Sequence, residues 1–379
     1  LRAMPQGIEK LTSLEVLSQF SLSKRKRKHA SSGLEELQKL SKLRGRLELV
    51  KLQYMKKGVW ESEAANLKDK PHLRYLLLDW GERRKSKDMT VETKSLEALQ
   101  PHVNLLELKV NHYYGTRLPR WVSSLENLVK IEFSDCRECK SLPSLHELPS
   151  LQHLKVSMDK LEYLIDNSRF TERAGRPCFF LSLKTLTLSC CFKLKGWWRH
   201  TPKPMEEQLQ LPCLSTLEIR CCPFDGWMPQ LLSLNTLVLH RTGEGLLEET
   251  LKQASTPSTS TSTSLSPLQS LSIEGIHNSG SLPEEVLQSL ASLKSLKIAR
   301  MQTKVLSPWL QHLTSLVSLS INNCMDVNLL EEKHKESIQC LGKLHYLTIS
   351  ESEGMVPIPK GIQHLTSLDT LTMSSPEES

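Results

Sequence analysis

The residues with the widest chemical repertoire in this sequence are ten cysteines. Cys136-x-x-Cys139 has the spacing of half a zinc site or of a redox dithiol. No second pair with ligand spacing accompanies it, so neither centre is completed. Cys190-Cys191 and Cys221-Cys222 are adjacent pairs, and adjacent strand residues point to opposite faces, which makes them poor disulfide partners. Strand parity leaves Cys190 and Cys221 the more exposed, but nothing supplies the nearby His and electropositive opening that a nucleophilic thiol needs. The carboxylate pairs Glu35-Glu36, Glu206-Glu207, Glu284-Glu285 and Glu331-Glu332 fall in loops and helix edges, where solvation accounts for them. No phosphate loop, Gly-x-Gly-x-x-Gly turn, Gly-x-Ser-x-Gly elbow or His-Glu-x-x-His pair occurs. The expectation is a chain that is not an enzyme and has no catalytic residue, metal or cofactor.

The run Lys24-Arg25-Lys26-Arg27-Lys28-His29 fits a nuclear import signal or an anionic-surface patch, and equally a plain solvated loop. No aromatic is interleaved with it, so nucleic acid is not the expected partner.

The elements that position these residues come from a repeat. Leucine fills 70 of 379 positions. The frame Leu-x-x-Leu-x-Leu recurs with first positions at 14, 43, 73, 105, 128, 151, 183, 214, 234, 268, 293, 316, 344 and 368. Clear copies are Leu128-Val-Lys-Ile131-Glu-Phe133, Leu183-Lys-Thr-Leu186-Thr-Leu188 and Leu293-Lys-Ser-Leu296-Lys-Ile298. Spacings of 20 to 34 residues match the period of leucine-rich repeats. In Leu-x-Leu both leucines share one face of a short strand; that face is buried only when parallel copies stack. The fold expected is α/β: a curved leucine-rich-repeat solenoid of about fourteen repeats, with a parallel sheet on its concave face.

Cys136, Cys191, Cys222 and Cys324 all fall three residues past the last apolar residue of a frame, where the side chain turns in toward backbone groups. That gives most cysteines a structural role. The connections also rhyme: Pro5-Gln-Gly7-Ile8 returns as Pro359-Lys-Gly361-Ile362, and Pro119-Arg-Trp121 keeps the same stride to its leucine. Pro starts a turn on the convex side, so Trp121 and Trp309 belong to the core.

Residues 1–379 are expected to form one solenoid. Residues 1–100 carry 22 Lys and Arg against 13 Asp and Glu, a basic first stretch with charged inserts such as 82–87. Residues 158–182 and 193–212 look like irregular connections, and 254–267 includes a Ser/Thr-rich loop with nothing to bury. No apolar run is long enough to cross a membrane. No Asn-x-Ser/Thr acceptor occurs, and the cysteines lack a disulfide framework, so a reducing compartment is expected: the cytoplasm, with the nucleus open through the basic run.

The wide polar strand surface suits a protein partner. Large or charged residues expected there are Tyr75, Trp80, His112, Tyr113, Arg220, His240, Arg241, Arg300 and Tyr346, the types that dominate buried interfaces.

Several stretches go further than the generic repeat. Leu1-Arg-Ala-Met4-Pro5-Gln-Gly7-Ile8-Glu-Lys-Leu11-Thr-Ser-Leu14 and Gly33-Leu34-Glu-Glu-Leu37 are two, with Leu43-Arg44-Gly45-Arg-Leu47-Glu-Leu49 a third. Leu118-Pro119-Arg-Trp121 and Leu186-Thr-Leu188-Ser-Cys-Cys191-Phe-Lys-Leu194-Lys195-Gly196-Trp197-Trp198 complete the set. Over nearly its whole length the chain resembles the leucine-rich-repeat region of plant intracellular disease-resistance proteins of the coiled-coil, nucleotide-binding type. That resemblance implies a sensor portion that recognises a pathogen effector or guarded host protein and restrains an upstream nucleotide-binding module. The basic first repeats would face that module and cover the edge of the first strand. Two other classes stand beside it: a substrate-receptor or scaffold solenoid, as in a ubiquitin ligase, and a secreted or membrane-anchored receptor ectodomain, which would require glycans and cap disulfides.

Overall fold

The computed structural model describes residues 4–23, 33–56, 58–82, 89–165, 172–173, 176–177, 179–199, 210–224, 226–243, 245–255, 268–276, 282–301, 307–324, 338–350 and 360–374. The basic run at 24–29, the insert after Glu82, Glu206-Glu207, Glu331-Glu332 and residues 256–267 lie outside them. The chain divides into two compact units, Leu1–Pro202 and Lys203–Ser379.

The first unit builds its sheet from β1 (Gln19–Ser21), β2 (Arg44–Val50), β3 (His72–Asp79), β4 (Glu107–Asn111), β5 (Lys130–Ser134), β6 (His153–Val156) and β10 (Thr185–Ser189). Neighbours pair in parallel, and register follows the leucine frame. Leu47, Leu76, Leu108, Ile131, Leu154 and Leu186 form one inward row, and Leu49, Leu78, Val110, Phe133, Val156 and Leu188 the next. All twelve are buried, each contributing roughly 1.5–3 kcal/mol of apolar burial. Leu43 to Leu47 spans one residue more than the frame. Gly45 stands at φ 74°, a conformation that costs a side-chain-bearing residue more, and the β2–β3 register shifts beside it: Gly45 faces Leu73 and Arg46 faces Tyr75, with Arg74 of β3 skipped.

The second unit carries β12 (Thr216–Arg220), β13 (Thr236–His240), β14 (Ser270–Glu274), β15 (Ser295–Ala299), β16 (Ser318–Asn322), β17 (Tyr346–Ser350) and β18 (Thr370–Ser374), again parallel. Leu217, Leu237, Leu271, Leu296, Leu319 and Leu347 share one buried row. With seven repeat strands in each unit, the chain is a leucine-rich-repeat solenoid. Its helices are few and short, and among the described residues none is long and apolar enough to cross a membrane.

The first repeat departs from its frame. The strand expected near Leu17 lies at Gln19–Ser21, and Phe20 and Leu22 are the buried pair. The frame would put the Gln19 amide in the third leucine slot, whereas Phe20-x-Leu22 supplies two apolar side chains at the right parity. Pro119 leads into a 3-10 turn over Arg120–Ser124 that buries Trp121, whose Nε1 donates to Glu97 O at 3.1 Å. Trp309 is buried as well.

The stretches expected to be irregular hold more order than that. β7 (Tyr163–Ile165) pairs in parallel with β11 (Gly196–Trp198), and β8 (Glu172–Arg173) pairs antiparallel with β9 (Arg176–Pro177). Phe179 packs edge-on against Trp198, ring centroids 4.4 Å apart, which seals this accessory sheet.

Candidate partner-binding face

One backbone device recurs at the end of most strands. The residue after the strand turns left-handed: His112, Asp135, Cys190, Cys221, Arg241, Arg300 and Asn323 all have φ between 50° and 54°. For a side-chain-bearing residue this costs on the order of 1 kcal/mol. It is offset by a hydrogen bond to the next repeat. His112 N donates to Ser134 O at 2.9 Å, Arg241 N to Glu274 O at 2.8 Å and Arg300 N to Asn322 O at 3.0 Å. The turn also sends the following residue inward: Tyr113, Cys136, Cys191, Cys222, Met301 and Cys324 are buried.

The cysteines fill this slot as donors to the carbonyls that end each strand. Cys136 Sγ lies 3.6 Å from Val110 O, Cys324 Sγ 3.5 Å from Asn322 O and Cys222 Sγ 3.2 Å from Arg220 O. Cys139 Sγ donates to Gly115 O at 3.1 Å. Burial pushes the Cys136 thiol up to about 12, so it stays protonated and donates.

On the outward side of the first unit the strand residues are long and charged, and they engage one another. Arg46 stacks 4.0 Å over the Tyr75 ring while its Nε donates to Glu48 Oε1 at 2.9 Å, and Gln19 Nε2 donates to Glu48 Oε2 at 3.2 Å. Two strands on, Glu132 takes Lys109 Nζ at 2.8 Å and Lys155 Nζ at 3.1 Å. Burial raises the Glu132 carboxyl, but hydrogen bonds and charge from the two lysines outweigh it and hold it at about 2. His112 bridges two acids, Nδ1 2.9 Å from Asp79 Oδ1 and Nε2 3.6 Å from Asp135 Oδ2.

The second unit presents a different surface. Thr216, Thr236, Ser270, Ser295 and Ser318 share one outward row with Tyr346 and Thr370; Glu218, Val238, Ser272, Lys297, Ser320, Thr348 and Thr372 form the row beside it. Charge collects where the strands end. Arg220 Nε donates to Glu218, and Glu274 Oε1 stands 3.4 Å from His240 Nε2 and 3.6 Å from Arg300 Nη1. Arg241 is exposed, and a Cβ on Gly275 would stand 3.1 Å from its Cγ, so the bare backbone makes room for the arginine stem.

Seven of the nine sequence-selected contact residues are at least partly accessible: Tyr75, His112, Arg220, His240, Arg241, Arg300 and Tyr346. The structure brings His240, Arg241 and Arg300 together around Glu274, with Arg220 paired to His240 across the sheet. His112, Arg241 and Arg300 sit one residue past their strands, in the left-handed turn, so each stands at the rim of its own unit and not on a strand face. Trp80 and Tyr113 are corrections, for both are fully buried and meet edge-on at 5.0 Å. Leu76-x-Leu78-x-Trp80 continues the inward alternation, because here the turn comes one residue later, at Gly81. Tyr113 stands three residues past Val110, in the slot Cys136 fills one repeat on. Its hydroxyl donates to Arg117 O at 3.0 Å, and burial raises its phenol above the ordinary range.

Arg46, Lys109, Glu132, Lys155 and Glu274 were missed by sequence reasoning. Outward parity marks them, but only the register shows which charges meet.

Residues 34–158 match the R13L1/DRL21 leucine-rich-repeat family. RGA1 of Solanum bulbocastanum, a candidate disease-resistance protein, is 34% identical over 303 residues, covering 79% of this chain and 28% of the relative. The disease-resistance protein RGA2 of the same plant is 30% identical over 296 residues, 76% of this chain and 26% of its own. The chain thus spans about a quarter of the length of these curated relatives. A solved leucine-rich-repeat protein of Leptospira interrogans is similar at a TM-score of 0.42 and 19% identity, covering 97% of this chain and 93% of its own.

Proposed function

Because this chain is a leucine-rich-repeat region of the plant disease-resistance protein family, we propose that it is a non-enzymatic sensor that holds a protein partner on the outward side of its strands. The partner is a pathogen effector or a guarded host protein, and until it arrives the chain restrains a nucleotide-binding module upstream. The observation that carries this reading is the outward side of the second unit. Its floor is mostly Ser and Thr, cheap to desolvate, with Lys297 exposed among them, and its rim holds Arg220, His240, Arg241 and Arg300 against Glu218 and Glu274 among the described residues. Such a rim steers an acidic partner surface and gives arginine anchors once water is excluded. Tyr346, half exposed on the same floor, and Tyr75 and His112 of the first unit are secondary contacts. Free thiols at every described cysteine support a cytoplasmic setting.

The test is co-purification of this chain with its upstream module expressed separately, followed by addition of candidate effectors. Association with the module that an effector releases is the expected result. The Arg220→Ala/Arg241→Ala/Arg300→Ala variant should lose effector binding by about a hundredfold, each desolvated arginine contributing on the order of 1 kcal/mol. A chain that never associates with the module, or a triple variant that binds every effector as the parent does, overturns the proposal.

A further inference from the structure

A cleft of 470 Å³ opens among the turns of the first unit, lined by ten residues with no carboxylate among the described ones. Its polar groups are Arg117, Arg120, Ser123, Ser141, Ser144 and His146; the remaining four are apolar. Two equivalent turns of consecutive repeats supply most of it: Arg117-Leu-Pro-Arg120 in one and Ser141-Leu-Pro-Ser144 in the next. At matching positions, then, two cations stand beside two hydroxyls. The next connection breaks the repeat period to form β7, and Ile165 of that strand lines the cleft.

Arg117 and Arg120 are exposed, and neither guanidinium makes an ion pair among the described residues. Elsewhere on this unit Arg44 and Arg46 each meet a glutamate. Two like charges three residues apart in one turn repel each other, and an anion between them removes that cost. The side chain of His146 is only 9% exposed, and its Nε2 lies 3.7 Å from Glu147, which does not line the cleft.

We propose that this cleft is a phosphate-monoester site, independent of the strand faces. Guanidinium forks and the hydroxyls of Ser141 and Ser144 are the donor set that a tetrahedral dianion with three acceptor oxygens takes up, and a lone carboxylate would leave much of it unused; the Ser123 hydroxyl already donates to Arg120 O at 2.8 Å. The volume falls in the range of small-ligand clefts. The apolar neighbours would take the group that carries the phosphate.

The experiment follows Arg Nε–Hε NMR signals of the whole chain during titration with phenyl phosphate, a small monoester, at constant ionic strength, with chloride as control. In parallel arms it uses a degenerate phosphoserine peptide pool and the same pool unphosphorylated. A saturable shift of Arg117 and Arg120 is expected, weakened at least about tenfold in Arg117→Gln/Arg120→Gln, where both side chains are exposed and the fold is undisturbed. Tighter binding of the phosphopeptide pool assigns the phosphate to a partner's modified side chain; tighter binding of phenyl phosphate assigns it to a free small molecule. Either supports the site. Non-saturable shifts, equal response to chloride, or equal binding by the double variant overturns it.

Discussion

The outward sides of the two units are built on one backbone and differ in how they spend their charges. In the first unit Arg46 is held by Glu48, and Lys109 and Lys155 by Glu132, at 2.8–3.1 Å, so a partner would have to break existing bonds to use them. In the second unit the floor is mostly Ser and Thr with one lysine, Lys297, and the arginines gather at the rim, where Arg220, Arg241 and Arg300 share Glu218 and Glu274 among the described residues. The comparison teaches that charge density alone does not mark a binding surface. A satisfied network stabilises the repeat that owns it, whereas an unbalanced rim over small hydroxyls leaves interaction free energy for a partner.

The sharpest way to probe the contrast is through aromatic residues that sequence alone treats alike. Trp80→Ala or Tyr113→Ala should cost about 3–5 kcal/mol in urea unfolding, because each leaves a cavity in the first unit's core. Tyr346→Ala in the second unit should stay within about 0.5 kcal/mol. Comparable losses at all three would erase the distinction between core and surface aromatics.

A smaller effect separates the two acids. Glu132→Gln should destabilise by on the order of 1–3 kcal/mol at pH 7, since it strands two lysines. The folded carboxyl titrates at about 2 against an ordinary 4.5, so this stabilisation is present above 4.5 and disappears as pH falls toward 2. Parent and variant should therefore converge near pH 2. Glu274→Gln should cost less than about 1 kcal/mol and strengthen the rim's attraction for an acidic partner. If the order of these two variants is reversed, the second unit's rim is the structural network instead.

An effect confined to alkaline pH concerns Lys70, buried with its Nζ donating to Leu37 O at 2.8 Å. Burial lowers its ammonium to about 8 from 10.5. The unfolded chain keeps that proton up to 10.5 while the native one releases it near 8, so stability rises with pH between those values. Lys70→Met should flatten that rise relative to the parent; an unchanged slope would mean the lysine is solvated in the native state.

Much of the fold was legible because a parallel stack needs the same residue at the same place in every repeat. Leu76, Leu108, Ile131 and Leu154 announce their row without coordinates. Cys136 and Cys324 announce the inward slot. The first repeat was harder to read, since Leu14 and Leu17 satisfy the frame but Phe20 and Leu22 satisfy burial. The accessory pairing of β7 with β11 carries no period to detect, and joins residues about thirty positions apart.

By itself the sequence determined the repeat, the strand parity, the structural use of the cysteines and the family likeness, because each follows from local spacing or local wording. The tertiary structure decided which outward charges are already spoken for, that Trp80 and Tyr113 face the core, and that His112, Arg241 and Arg300 stand in left-handed turns past their strands. Those outcomes depend on register between repeats and on where each strand stops. Both are set by packing over distances that no spacing along the chain encodes.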